Sequence, residues 1–428
     1  MKNDLILTGG KLIDPKTGYI GSGTITVTDG KIAKVEKRKK LARSGKNIIN
    51  LDGLYLCPGF IDMHVHLREP GREDEETIFS GAEAAVAGGF TAVACMPNTD
   101  PPLDSAEAIK YVVEKSLFAK ARIYPVGAIS VARKGETLAP MREMKDIGAV
   151  AFSDDGSGLQ NNDLMRRALE YARSCNATLI SHCEYQDLAA EGVMHEGFVS
   201  SKIGLRGIPS VAEELMVARD IMLAEFTGSR VHIAHISTSG AVDLVRRAKR
   251  AGIQVTAEAT PHHFTLTDDY IESFDTNYKV NPPLRSRKEV EAIKKGLKEG
   301  VIDAIASDHA PHSIEEKELE FDYAPFGMIG LETTIGLTVT ELIRNGVIGW
   351  LQAVKCLSCA PARILSIPGG NFDIGSTADL TIVDPDLEWT VRPDDFKSLS
   401  KNSPYVGRKL FGKAVMTIVN GRVVYSMI

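Results

Sequence analysis

Residues 59–66 read GFIDMHVH, an apolar run that closes on two histidines one residue apart, with Arg68 two positions further on. Its length and content are those of a buried strand, and the period-2 alternation of a strand puts His64 and His66 on one face. Seven further runs of this kind follow: TAVACMP (91–97), RIYPVGAI (122–129), GAVAFSD (148–154), TLISHCE (178–184), VHIAHIS (231–237), IQVTAEAT (253–260) and VIDAIASDH (301–309). Between them lie stretches with helical apolar spacing, such as DLMRRALEYARSC, VAEELMVARDIMLAEF and AVDLVRRAKRAG. Buried strands alternating with helices predict parallel βα units closing into a (β/α)8 TIM barrel, an α/β fold. An open doubly wound sheet would carry a glycine-rich phosphate loop, and neither GxGxxG nor a P-loop pattern occurs.

The two ends read differently. Residues 1–55 alternate in short strands broken by turns such as Asp29-Gly30, and residues 366–428 do the same, with Asn420-Gly421 as a hairpin signal. Together they predict one small β-sandwich domain built from both termini, flanking a barrel over residues 56–365. No internal repeat or low-complexity segment interrupts this plan.

Composition narrows the function. The 428 residues are 43% hydrophobic and 25% charged, with 50 basic and 56 acidic side chains, a soluble globular balance. A net charge of -6 offers no field for nucleic acid or an anionic membrane. The dense basic run KVEKRKKLARSGK from Lys34 reads as a solvated turn. The opening MKNDLILTGG lacks the apolar length of a signal peptide, so a cytoplasmic protein is expected. Six scattered cysteines do not make a disulfide framework, and Cys356 and Cys359 read as buried helix cysteines rather than half of a zinc site.

In a barrel, catalytic groups come from the C-terminal strand ends. Strand 1 ends at His64 and His66, strand 4 in FSDDG, strand 5 at His182, strand 6 at His235 and strand 8 at Asp308. Each histidine alone is an ordinary core residue; gathered at the ends of five strands with two aspartates they exceed what one catalytic metal needs, so two metals are expected. Imidazole and carboxylate favour Zn2+, with manganese or cobalt as substitutes. His232, three positions from His235, is assigned to the other strand face, and His195 has no chemical company. His262 and His263 lie at the correct end, where they could orient ligands. Asp154 and Asp155 face opposite ways, and alternation does not choose between them.

The motifs HVHLREPG (64–71), MPNTDPP (96–102), FSDDG, KVNPPLR (279–285), SDHAPH (307–312) and APFG (324–327) resemble the cyclic-amidohydrolase branch of the amidohydrolase superfamily, and within it the type I dihydroorotase family, over essentially the whole chain. The resemblance implies a binuclear zinc site, with His64, His66 and Asp308 around one ion and His182 and His235 around the other. The bridging group comes from strand 4, where relatives such as hydantoinases use a carbamylated lysine that this sequence lacks; register within DDG points to Asp155. It further implies substrate contacts from His66, Arg68, Asn98, Asn281 and His312, with the backbone around Phe326 and Gly327. Arg68 suits a substrate carboxylate; its structural alternative is an ion pair with Glu69 or Glu73. The implied reaction is reversible cyclisation of N-carbamoyl-L-aspartate to L-dihydroorotate, a step of pyrimidine biosynthesis, with Asp308 as acid and base. A hydantoinase or allantoinase activity and a non-catalytic scaffold are the rival readings. A homodimer is expected, and some type I relatives form a complex with aspartate transcarbamoylase. The charged stretch 311–326 after strand 8 is expected to be a substrate lid.

Overall fold

The computed structural model describes residues 4–39 and 47–428. Residues 1–3 and the 40–46 part of the basic run lie outside the described residues. All eight expected barrel strands form: Phe60–Val65, Phe90–Cys95, Arg122–Gly127, Ala151–Ser153, Thr178–Ser181, Val231–Ile233, Val255–Ala259 and Ala304–Ile305. They pair in parallel and in chain order. A parallel bridge between Val65 and His309, with His66 N donating to His309 O at 2.8 Å, joins last strand to first and closes the ring. Every residue of the first two strands is buried, as expected when both faces of a parallel sheet are covered.

Helices pack around the ring on apolar stripes, and four of them, Ile78–Ala87, Ala106–Ser116, Asn162–Ser174 and Ser239–Arg250, start at side-chain caps. The helix Ser239–Arg250 buries Ala241, Val242, Val245 and Ala248 and carries Arg247, Lys249 and Arg250 in its last turn, complementing the helix dipole. Thr238 caps it by accepting from Ala241 N at 3.2 Å. No helix among the described residues is long and apolar enough to cross a membrane.

The other large sheet takes strands from both ends of the chain, in the order Arg422–Ser426, Lys409–Val419, Leu380–Thr390, Tyr55–Pro58, Leu5–Asp14, Tyr19–Thr28 and Lys31–Lys37; Ile48–Asn50 adds beside Leu5–Asp14. It bends over a core of its own that includes Leu7, Ile25, Leu56, Leu380 and Ile418, making the small β-sandwich. Asp29-Gly30 and Asn420-Gly421 both have positive φ at both positions, the backbone that two-residue hairpins require. The sheet feeds straight into the barrel: Thr381, opposite Cys57, accepts from Phe60 N and donates to Gly89 O.

The structure shortens most of the expected strands: the fifth ends at Ser181 and the sixth at Ile233. The fourth covers only Ala151–Ser153 and the eighth only Ala304–Ile305. Beyond them the chain leaves extended geometry, and His235 (φ 30), Asp308 (φ 49) and Arg68 (φ 59) adopt the left-handed region that most side chains avoid. Each is a candidate site residue, and the bend turns its side chain away from the line its strand would have followed.

Candidate active site

A cavity of about 180 Å³ opens at the C-terminal end of the barrel. Its lining includes His66, Arg68, Asn98, Asp155, His182, His235, Asn281, Asp308, His312, Phe326 and Gly327, while His64 lies fully buried behind it. The sequence-derived site residues are thus gathered in one place.

Asp155 sits at the centre of the cluster. Its Oδ1 is 3.3 Å from His64 Nε2, 3.5 Å from His235 Nε2 and 3.8 Å from His182 Nδ1, and its Oδ2 is 3.6 Å from His66 Nε2. Asp154 points the other way. Its carboxylate accepts from Ile129 N at 2.8 Å, Ser130 N at 3.1 Å and the Ser130 hydroxyl, fixing the loop after strand 3. Asp308 Oδ1 lies 3.0 Å from His66 Nε2 and 3.6 Å from His64 Nε2.

Four buried polar atoms here, His64 Nε2, Asp155 Oδ1, His182 Nε2 and His235 Nδ1, have no hydrogen-bond partner. Unpaired buried polar atoms are costly, and a cluster of imidazole nitrogens and a carboxylate oxygen with nothing to bind has the donor set of a divalent cation site. Two triads, His64–His66–Asp308 and His64–Asp155–His235, bring their ligand atoms within 4.8 Å of one another. The residues present therefore fit a metal centre. A third group, Glu75–His312–Glu316, is already paired with arginines: Arg68 Nε is 3.2 Å from Glu75, and Arg72 bonds Glu75 at 3.1 Å and Glu316 at 2.5 Å.

The electrostatics of His182 and of the two carboxylates suit cation binding, while, against burial, the carboxylates hold His64 and His235 above the usual imidazole range. Burial pushes His182 down to about 3, helped by neighbouring His235, so its ring is neutral and keeps a lone pair. Burial opposes ionisation of Asp155 and Asp308, but the surrounding histidines, His64 foremost, outweigh it and hold both carboxyls well below their usual range.

The immediate surroundings orient these groups. His64 Nδ1 is 2.7 Å from Glu258 Oε1, which turns Nε2 toward the cluster. Glu258 Oε2 also meets His232 Nε2 at 3.1 Å, and His232 Nδ1 meets Thr256 Oγ1 at 2.8 Å. His232, placed on the opposite face by strand counting, is therefore two hydrogen bonds from the cluster. The parity count fails because strand 6 ends at Ile233 and the backbone turns at His235, so both histidines reach the interior. Glu258 had a sequence signal that the reading passed over: it is the acidic residue of the strand VTAEA and is completely buried.

His66 Nδ1 bonds Asn98 Oδ1 at 2.7 Å, which leaves the Asn98 amide nitrogen as a donor beside the cavity. Arg68 takes up an ion pair, but with Glu75 rather than Glu69 or Glu73, and its Nε also donates to Pro311 O at 3.0 Å. Glu69 instead accepts from Ile78 N and Tyr111, and Glu73 from Gly71 N. His312 lies between Glu75 at 2.9 Å and the Phe326 carbonyl at 2.9 Å. Asn281 Nδ2 donates to Glu184 at 3.3 Å. His263 bridges Thr260 Oγ1 and Pro282 O, tying the loop after strand 7 to the residue beside Asn281. His262 is buried with Nε2 unpartnered, and burial pushes it down to about 4. His195 stands 3.2 Å from Arg285, away from the cavity.

A barrel that converges four imidazoles and two carboxylates on one buried centre, beside a cationic and amide-lined pocket, has the make-up of a metal-dependent enzyme acting on a small polar substrate. Among solved structures the chain resembles the L-hydantoinase of Arthrobacter aurescens (TM-score 0.89, 26% identity, covering 99% of this chain and 96% of that one). It also shares its fold with a dihydropyrimidinase from Brevibacillus agri (TM-score 0.86, 22% identity, 99% and 95% covered). The "Dihydro-orotase-like" family model matches residues 53–241. The chain is 54% identical over 420 residues to a dihydroorotase from Pelotomaculum thermopropionicum, covering 98% of each chain, and 47% identical to one from Syntrophus aciditrophicus, covering 99% of each. The chain belongs to the dihydroorotase family.

Proposed function

We propose that this protein interconverts N-carbamoyl-L-aspartate and L-dihydroorotate, a step of pyrimidine biosynthesis, using two zinc ions per subunit. Identity of about half the residues across the full length to named dihydroorotases carries the reading. The site agrees with it in kind. His64, His66 and Asp308 would hold one ion, His182 and His235 the other, and Asp155, within 3.8 Å of all four histidines, would serve both.

Bound there, zinc would lower the pKa of water to roughly 7 and polarise the ring carbonyl under attack. Arg68 and the Asn98 amide bind the substrate carboxylate, and Arg68 is held in place by Glu75 and the Pro311 carbonyl. Asn281, His312 and the backbone at Phe326 and Gly327 orient the ring. In the hydrolytic direction Asp308 accepts the proton of the attacking water on its carboxylate. As the ring C–N bond breaks, it returns that proton to the departing nitrogen, and cyclisation runs the same transfers backward.

Four-substrate turnover assays test this: carbamoyl aspartate, dihydroorotate, a hydantoin and allantoin, each with and without a chelator, alongside metal analysis. Turnover confined to the first pair and abolished by chelation is expected. Preference for the hydantoin, whose hydrolase is a structural neighbour at 26% identity, would favour the rival cyclic-ureide reading. Turnover of none by metal-loaded protein would favour a scaffold. The same reading includes a cytoplasmic location, a homodimer and an association with aspartate transcarbamoylase, for which light scattering with and without that partner is the direct measurement.

A further inference from the structure

Lys279 and Lys317 are two buried cations among the described residues that no ion pair explains. Both are buried, 2% and 8% exposed, and neither forms an ion pair among the described residues. Their ammonium groups bond only main-chain carbonyls of a single segment. Lys279 Nζ donates to Phe321 O at 2.6 Å and Asp322 O at 3.0 Å, and Lys317 Nζ donates to Pro325 O at 2.9 Å and Gly327 O at 3.0 Å. The Lys279 ammonium also lies over the Phe326 ring, 4.8 Å from its centroid, and the Lys279 carbonyl accepts from Gly327 N at 2.8 Å. The segment they gather supplies Phe326 and Gly327 to the cavity wall, and the Phe326 carbonyl meets His312.

We propose that Lys279 and Lys317 are positioning residues: a pair of buried ammonium groups that shapes the 321–327 segment against the substrate pocket and links its closure to protonation. This rests on the pocket being the substrate site, and it adds a role for two residues that contact neither the candidate ligands nor the cavity.

The direction of the linkage follows from the surroundings. Around Lys317 the charged groups are Lys279, Asp275 and Glu316; around Lys279 they are Lys317 and Asp322. Asp275 is occupied capping Asn277 N, and Glu316 bonds Arg72 and His312. Burial therefore dominates, pushing Lys317 down to about 7, with Lys279 adding to the effect, and Lys279 down to about 8. With the segment open, both would titrate near the ordinary 10.5. The closed form binds protons less tightly, so closure is weakest at low pH and strengthens as pH rises through about 7 and 8.

The test follows amide hydrogen exchange of the zinc-loaded protein without substrate, reading Gly327 and its neighbours as protection factors so that intrinsic base catalysis is removed. Protection should rise roughly a hundredfold between pH 6.5 and 8.5 in the unaltered protein. K317M and K279M should flatten that rise, raise KM for dihydroorotate at least tenfold and change kcat less than threefold. A flat profile in the unaltered protein overturns the proposal even if neither variant folds, as does a variant with unchanged KM and the original pH profile. Because the exchange measurement uses no substrate, failure of the dihydroorotase reading would show separately, as absent turnover beside an intact pH profile.

Discussion

Asp308 and Glu258 carry the same functional group but different duties, and substitution should separate them. D308N removes the proton carrier while leaving the shape nearly unchanged, so, compared at matched metal loading, it should lose on the order of 10²–10⁴ in kcat. Normal turnover by the metal-loaded variant would remove Asp308 from the chemistry. E258Q leaves the carrier intact but weakens the grip on His64, so it should lose zinc affinity roughly 10- to 100-fold in chelator competition. Glu258 also sets an acid limit. Burial would raise its carboxyl, yet His64 and His232 hold it down to about 2 against an ordinary 4.5. Its contribution to stability is therefore complete above about 4.5 and drains away as pH falls toward 2. Thermal unfolding should lose more stability between pH 5 and 3 for the unaltered protein than for E258Q. The candidate ligands were legible in the sequence because each stands at a strand end. Glu258 was not, since a carboxylate inside an apolar run declares its buried partner only once the neighbouring strand is in place.

Among the elements, the stretch after strand 6 shows how the barrel anchors its site. His235 is followed at once by Ser237 and Thr238, whose amides both bond the buried Glu213, at 2.9 Å and 3.1 Å, and Thr238 then caps the next helix. Replacing Thr238 with Ala should cost about 1 kcal/mol in denaturant unfolding. A larger loss, with weakened zinc binding, would mean that the cap also holds His235. The strands were readable as buried apolar runs, and the two hairpins were signalled by Asp29-Gly30 and Asn420-Gly421. Strand lengths were not readable. The chain at His235 and Asp308 gives up extended geometry to aim a side chain, and no local pattern announces a positive φ at a histidine or an aspartate.

Across the whole molecule, the two ends of the chain are one piece of structure. Tyr55–Pro58 is flanked by Leu5–Asp14 on one side and Leu380–Thr390 on the other, and Thr381 and Thr417 reach into the barrel to Gly89 O and Val86 O. A chain truncated after residue 379 should fail to bind zinc and unfold at markedly lower temperature, and the full chain should melt in a single calorimetric transition; a stable, zinc-binding truncation would show the barrel to be independent. The seam between Val65 and His309 has a consequence for how the protein is made. Strand 1, with His64 and His66, leaves the ribosome early, but the hydrogen bond that seats it comes from the far side of Asp308. A growing chain therefore carries His64 and His66 for most of its synthesis with the cage around them unassembled, and completes the candidate metal site only after Asp308 and His309 have been made.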